Sequence, residues 1–424
     1  MVAFGSLVAP LEAPFQALLD GLARSARWST SEDIEALGQE VRSLSGLYNR
    51  IQTPPVARPS GGRSTAESAH SALAARLLFS FPRDVPKGAA AVRELVGAGL
   101  LAIPGSRPLR ILDVGAGLGA MTWGAVRALE AAGQRGEVEA LFADADPGAL
   151  SLALEIVRRA PPGGVSLRAD RARLVAGDKP PRGPFDLVLV GQLLSELDEE
   201  LPPGERVVRH LALLESLLAV VSNQGSLVVV EPALRDRARH LHRLRDGWIA
   251  AGRPVFAPCL HQAPCPALAS EDDWCHEDLA VNLPPWLVPV ARAAGLRWEG
   301  LTFSYLVLRK DGSTLADLLP GARLRVVSSL LRTKGKSEAF LCGRFEEGVA
   351  RARLRRLDRD ASQENQAWDE LGRGALLSIE PAPQAGGRVG GDSLVRPVPA
   401  PAGAGKKAQV RAPTEAPTRA GGKA

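Results

Sequence analysis

The sequence predicts an α/β protein built on a parallel sheet with helices on both faces. Three observations predict it. From Leu109 onward short apolar segments alternate with helical ones. The first of those segments runs straight into a glycine-rich turn, Gly115-Ala116-Gly117-Leu118-Gly119. The chain of 424 residues, 45% apolar and 23% charged, is long enough to bury a substantial core.

Residues 1–105 read as helices. Ser64-x-x-Glu67 is a capping box opening a helix that runs to about residue 79, and 87–101 forms another. The stretch 52–62, rich in Pro and Gly, is a loop. Strands are expected at 110–114, 139–143, 173–176, 185–190 and 226–231, with helices between them, for example at 120–132 and 204–221. An irregular segment rich in Cys, Pro and His follows at 254–276. Residues 303–309 and 338–341 read as late strands of the same sheet, and 348–359 as an Arg-rich helix. Beyond Pro381, Pro, Ala, Gly and Lys dominate, which predicts disorder. The expected divisions are a helical region (1–105), an α/β domain (106–253), a cysteine-rich segment (254–300), late strands with a basic part (301–380) and a basic tail (381–424).

Charge and hydropathy narrow the setting. The net charge is +5, yet the tail from Pro381 carries seven cations against two acids and so accounts for the whole excess. Global basicity therefore says nothing about nucleic acid, and any such reading must be local. No apolar run approaches the length of a membrane span; 211–221 is broken by Glu215. Glu12 and Asp20 in a region without basic residues before them do not read as a signal peptide, so a cytoplasmic protein without structural disulfides is expected.

Ile111-Leu112-Asp113-Val114 leads into Gly115, Gly117 and Gly119 and then into a helix. Glycines let the backbone turn tightly and approach a ligand that a Cβ would block. Asp113, before the first glycine, suits a ligand with an amino group. Asp144, after the second strand, is placed to accept both hydroxyls of a ribose. Asp146, two residues on, is a weaker candidate, and Asp178 after the third strand is placed to face an adenine amine. Strand, glycines, helix, strand and acid in this order indicate S-adenosylmethionine rather than a dinucleotide. The span 108–235 resembles the Rossmann-like S-adenosylmethionine-dependent methyltransferases. After the fourth strand, however, Gly191-Gln192-Leu193-Leu194-Ser195-Glu196-Leu197 lacks the Asp/Asn-Pro-Pro-aromatic motif of amine methyltransferases and the Pro-Cys of cytosine-C5 enzymes. Glu196 reads as a base or as a solvated helix carboxylate, and no catalytic residue is written in the sequence.

The four cysteines are Cys259, Cys265, Cys275 and Cys342, separated by five, nine and 66 residues. Three of them in a Pro- and His-rich segment point to a four-thiolate metal site more than to unrelated core thiols. Flanking prolines hold that loop open and leave backbone N–H groups free for sulfur. No Cys-x-x-Cys pair occurs, so spacing leaves zinc and an iron–sulfur cluster both open. His70, His261 and His276 read as hydrogen-bonded or surface side chains before ligands.

Phe256-Ala257-Pro258-Cys259, Cys265-Pro266, Asp273-Trp274-Cys275-His276, Phe303-Ser304-Tyr305-Leu306-Val307-Leu308, Lys334-Gly335-Lys336 and Leu341-Cys342 together resemble one family. It is the methyltransferase-like, small-ribosomal-subunit-associated family of mitochondria and bacteria, and the resemblance covers about 45–375, including Ala367-Trp368-Asp369. It implies a factor that binds small-subunit ribosomal RNA during assembly. It also implies that the cysteines hold a [4Fe–4S] cluster rather than zinc. Arg323, Arg325, Arg332, Lys334 and Lys336 lie in 321–336 without an acid among them. Charge alone leaves a solvated face and an RNA contact equally open, and the resemblance points to RNA, bound by shape and phosphate. No DNA or membrane partner is expected. The function expected is an assembly factor, with an active rRNA methyltransferase and a zinc-stabilised small-molecule methyltransferase as alternatives.

Overall fold

The computed structural model describes residues 11–49, 73–279, 281, 283–321 and 323–399. The capping box at Ser64 and Glu67, the loop at 52–62 and His70 lie outside these residues. Two sheets organise the chain. The first has seven strands in the order β3-β2-β1-β4-β5-β7-β6. They are β1 (Leu109–Val114), β2 (Gly136–Asp144), β3 (Val165–Arg173), β4 (Phe185–Gly191), β5 (Val221–Pro232), β6 (Glu277–Leu279) and β7 (Leu301–Arg309). The first five are parallel, and β7 runs antiparallel to both neighbours. This is the expected Rossmann-like methyltransferase architecture.

The central strands are continuous apolar runs because helices cover them on both sides. Ile111, Leu187, Leu189 and Val228 face one core, and Leu112, Val188, Val190 and Val229 face the other. Each such side chain contributes about 1.5–3 kcal/mol by leaving water. The third strand ends where the sequence placed its start. Arg168, Asp170, Arg171 and Arg173 mask its alternation, and β3 tolerates them because it is the edge of the sheet.

In the N-terminal region α1 (Ala13–Ser25) and α2 (Ile34–Asn49) precede a helical run without the expected interruption. A π-turn over Arg76–Ser80 passes directly into α3 (Phe81–Gly97), with Phe81 N–H bonded to the Arg76 carbonyl. Helix α3 packs on α4 (Ala120–Ala131) at a crossing made by Gly88 and Gly124. A Cβ on Gly124 would lie 2.5 Å from the Val85 oxygen and the Ala89 nitrogen. Beyond these lie α5 (Pro147–Arg159), α6 (Pro203–Ala219), α7 (Arg235–Ala250), α8 (Leu287–Ala293) and the short α9 (Leu315–Leu318). No helix among the described residues is long and apolar enough to cross a membrane.

The second sheet corrects three expectations. It contains β8 (Leu324–Val326), β9 (Leu331–Thr333), β10 (Lys336–Phe345), β11 (Gly348–Leu357), β12 (Leu376–Glu380) and β13 (Leu394–Pro397), all antiparallel. The strand expected at 338–341 therefore belongs here and not to the first sheet. The Arg-rich stretch expected as a helix is β11, paired with β10 over its full length. Arginine favours helices in isolation, but cross-strand pairing around the buried Leu354 overrides that preference. Disorder expected from Pro381 does not begin there. Residues 381–399 are described, β13 pairs with β12, and Val389 and Val395 enter the core beside Trp368. Residues 400–424 lie outside the described part of the chain.

A buried charge network fastens the two sheets together. Arg325 on β8 pairs with Glu94 of α3 at 2.6 Å, Arg93 pairs with Glu277 of β6, and the Tyr305 hydroxyl donates to Glu94 at 3.1 Å. Burial pushes the Glu277 carboxyl up, but Arg93 and Arg325 outweigh it and hold it below its usual range. The net pairing is two cations with two carboxylates, which is what makes their burial tolerable.

Candidate functional site

The glycine loop opens a cleft of about 1330 Å³ at the carboxyl ends of β1, β2, β4 and β5. It lies where the strand order reverses at β1, the usual ligand position in such sheets. Gly115, Gly117 and Gly119 all have positive φ, at 66°, 51° and 79°. Their reasons differ. A Cβ at Gly115 would press on Leu193 at 2.9 Å, and one at Gly119 on Phe142 at 2.8 Å. A Cβ at Gly117 would meet nothing within 4 Å. Gly117 is thus the residue whose bare backbone faces the open cleft.

Asp144 lines that cleft and is held in place by two N–H donors, Gly117 and Asp146, each at 2.8 Å. One bond on each oxygen leaves both able to accept another, which fits a pair of ribose hydroxyls. Asp146 caps α5 through Gly148 and Ala149 N–H and pairs with Arg76, a structural role. Asp178 is exposed at the cleft mouth, with its carboxylate accepting from Val175 N–H.

Asp113 is placed differently from the expectation. It is 1% exposed and lies behind the glycine loop, accepting from the Thr122 N–H and hydroxyl at 3.2 and 2.8 Å. Its other oxygen is buried without a partner. Burial raises its pKa to about 7, against the Thr122 hydrogen bonds and with a further push from Asp144. It anchors the first turn of α4 and does not line the cleft.

The wall after β4 is a turn, not a helix. Gln192 there has φ 57°, and its N–H bonds to the Val230 carbonyl. Glu231, at the end of β5, accepts from Leu194 and Ser195 N–H and so fixes the turn. Burial raises its pKa to about 7. Glu196 is an exposed residue of this turn on the cleft wall, and partial desolvation there raises its pKa.

The four cysteines come together around a second, small cavity of about 60 Å³ between the two sheets. Cys259, Cys265 and Cys275 reach it from the loop after α7, and Cys342 reaches it from β10. Burial raises the Cys265 thiol to about 12 and the Cys275 thiol to about 11, with repulsion from Cys259 adding to both. Cys342 is raised well above its usual value for the same reasons. As placed, no three His, Cys, Asp or Glu side chains among the described residues stand close enough to hold a metal ion. The donor set nonetheless suits a thiophilic group, because Arg245, Arg351 and Arg373 ring the cavity and would offset thiolate charge.

The scaffold of this cavity escaped the sequence reading. Helix α7 presents Arg239, His242, Arg245 and Asp246 along one face. Arg239 donates to the Ala267 and Asp273 carbonyls, and Arg245 to the His261 carbonyl at 2.6 Å. Cys265 N–H donates to Asp246 at 3.0 Å, and Cys275 N–H to His242 Nε2 at 2.9 Å. These two N–H groups are therefore not free for sulfur, as the flanking prolines had suggested. The three-residue spacing of charged and His residues before the cysteines was the available signal. His261 is buried, with Nε2 3.7 Å from Cys342 Sγ. His276 lines both cavities and stacks on Trp274 at 6.0 Å, so Trp274-Cys275-His276 is their common wall.

The basic stretch is not one patch. Arg325 is buried in the charge network, Arg332 pairs with Asp369 at 3.0 Å, and Lys336 pairs with Glu338 at 2.9 Å. Arg323 and Lys334 are exposed, as are Arg353 and Arg355 of β11.

No curated protein matches the chain. Among solved structures, it is similar to the plantazolicin methyltransferase BpumL, at 11% identity over 66% of this chain and 98% of that one, with a TM-score of 0.32. A S-adenosylmethionine-dependent methyltransferase from Leishmania major is 13% identical over 68% and 90%, with a TM-score of 0.30. The precorrin-6y C5,15-methyltransferase from Geobacter metallireducens is 12% identical over 52% and 88%, also at 0.30. The fold assignment rests on the strand order and not on these resemblances. The family model of the mitochondrial small ribosomal subunit Rsm22 matches residues 83–356, a span holding the glycine loop and all four cysteines, and the chain belongs to that family.

Proposed function

We propose that this protein is a small ribosomal subunit assembly factor that binds ribosomal RNA and carries S-adenosylmethionine in the glycine-loop cleft. The observation that carries the reading is that one small-ribosomal-subunit family model spans both the cleft and the four cysteines. Gly115, Gly117 and Gly119 would admit the cofactor, with Asp144 on its ribose and Asp178 toward its adenine. Cys259, Cys265, Cys275 and Cys342 would hold a [4Fe–4S] cluster. When bound, such a cluster would replace thiol protons with metal bonds and would tie the loop that carries three of the cysteines to the second sheet. The exposed Arg323, Lys334, Arg353 and Arg355 would contact phosphates, joined by Arg332 and Lys336 if RNA displaces their carboxylate partners.

A second reading, an active rRNA methyltransferase, draws on Glu196, an acid of raised pKa on the cleft wall. Purification under anaerobic conditions, with iron, sulfide, zinc and bound RNA assayed together, tests the main reading. About four irons per chain and small-subunit RNA are expected. Stoichiometric zinc without iron or sulfide defeats the cluster, and RNA-free protein at low salt defeats the ribosomal role.

A further inference from the structure

We infer that Arg83 receives the carboxylate of the amino-acid end of S-adenosylmethionine, an inference that rests on the cleft being the cofactor site. Arg83 lies in the first turn of α3 and lines the cleft. Its guanidinium is stacked over the Phe79 ring at 4.8 Å, which fixes its plane. Its Nε is buried without a hydrogen-bond partner, and no acceptor among the described residues bonds the rest of the group. The neighbouring carboxylate, Asp84, is already taken by Lys87 at 2.8 Å. Burial therefore lowers the Arg83 pKa, opposed only by the nearby charge of Asp84.

A largely buried guanidinium with no acid of its own is costly, and an incoming anion removes the cost. Position identifies the anion. Asp144 marks the ribose end of the cleft, and Asp113, the residue expected at the amino-acid end, is shut away behind the glycine loop. Gly88, further along α3, touches the backbone of Met121 in the first turn after the glycine loop, so this helix abuts the loop. The planar fork of an arginine matches a carboxylate in two parallel hydrogen bonds.

Calorimetric titration of the full chain with S-adenosylmethionine and with 5′-methylthioadenosine, which lacks the amino-acid tail, tests the assignment. Arg83→Gln is expected to weaken S-adenosylmethionine by about 10- to 100-fold, the scale of a lost charged hydrogen-bond pair. Its affinity for 5′-methylthioadenosine should stay within about twofold, which also reports that the variant is folded. Arg83→Lys, which keeps the charge without the fork, should fall between, and it serves alone if the Gln variant does not fold. An unchanged ratio of the two affinities in these variants overturns the role of Arg83 and leaves the cofactor site standing. Wild-type protein that binds neither compound removes the cofactor reading and this one with it.

Discussion

The glycine-loop cleft takes its core from one continuous stretch, β1 through the start of α5, whereas the cysteine cavity draws on a loop, the face of α7 and a strand of the other sheet. In the cleft the parts come from one β–α–β unit: Gly117 donates to Asp144, 27 residues on, and Asp146 caps the next helix. In the cavity Cys342 faces Cys259 only because the second sheet is docked, through Arg325 on Glu94, Arg351 on Asp273 and Arg373 on the His276 carbonyl. A site made of local structure forms when its strand and helix form. A site made between sheets depends on a long-range contact and is lost when that contact is lost.

Paired variants give the sharpest contrast. Gly117→Arg should abolish S-adenosylmethionine binding, because its side chain grows into the open cleft, while the left-handed backbone there adds only about 1 kcal/mol of strain. Iron content should be unaffected. Cys275→Ser should do the reverse, losing iron and protease resistance over 254–276 while keeping cofactor affinity in calorimetry. Loss of both properties in either variant would mean that the wall formed by Trp274 and His276 couples the sites.

Breaking the docking contact comes next in size. Arg325→Ala leaves Glu94 buried without its main cation and should cost about 3–5 kcal/mol in urea unfolding. The salt dependence of RNA binding should not change, since Arg325 is not on the surface.

Asp113 should act through pH. Its folded pKa of about 7 lies above its unfolded value, so the proton it keeps stabilises the fold below about pH 4. That contribution is lost as pH rises toward 7, at up to about 1.4 kcal/mol per pH unit. Asp113→Asn should flatten this part of the stability profile, be more stable than wild type above pH 7, and still bind the cofactor. Lost binding without unfolding would return Asp113 to the ligand.

Gly124→Ala should cost about 1–3 kcal/mol, because the helix crossing leaves no room for a methyl group. The smallest effect belongs to the surface. Replacing Arg332, Lys334 and Lys336 by Ala should change stability by less than about 1 kcal/mol. The same change should flatten log affinity for RNA against log salt by up to about three phosphate contacts. An unchanged slope would identify a solvated face. A tail-deletion control must start after Pro399, because Leu394–Pro397 is a strand of the second sheet.

Much of this was legible before the fold was known, and the failures share a cause. The β1 strand, the glycine loop, α4 and Asp144 were readable because each is signalled by residues adjacent in the chain. The strand at Gly348–Leu357 was not, because its Arg-rich pattern suits a helix until β10 lies beside it. Arg325 read as a surface cation for the same reason: nothing near it in sequence announces Glu94 of α3.

Residue order alone therefore dictates the parallel sheet, the glycine cradle and the gathering of three cysteines in one loop, since backbone conformation and hydrophobic periodicity are local properties. Tertiary packing alone dictates which charges are buried, that Asp113 sits behind the glycine loop on Thr122, and that Cys342 completes the cavity. Burial and partner choice are set by segments far apart in the chain, and their energies exist only once those segments meet.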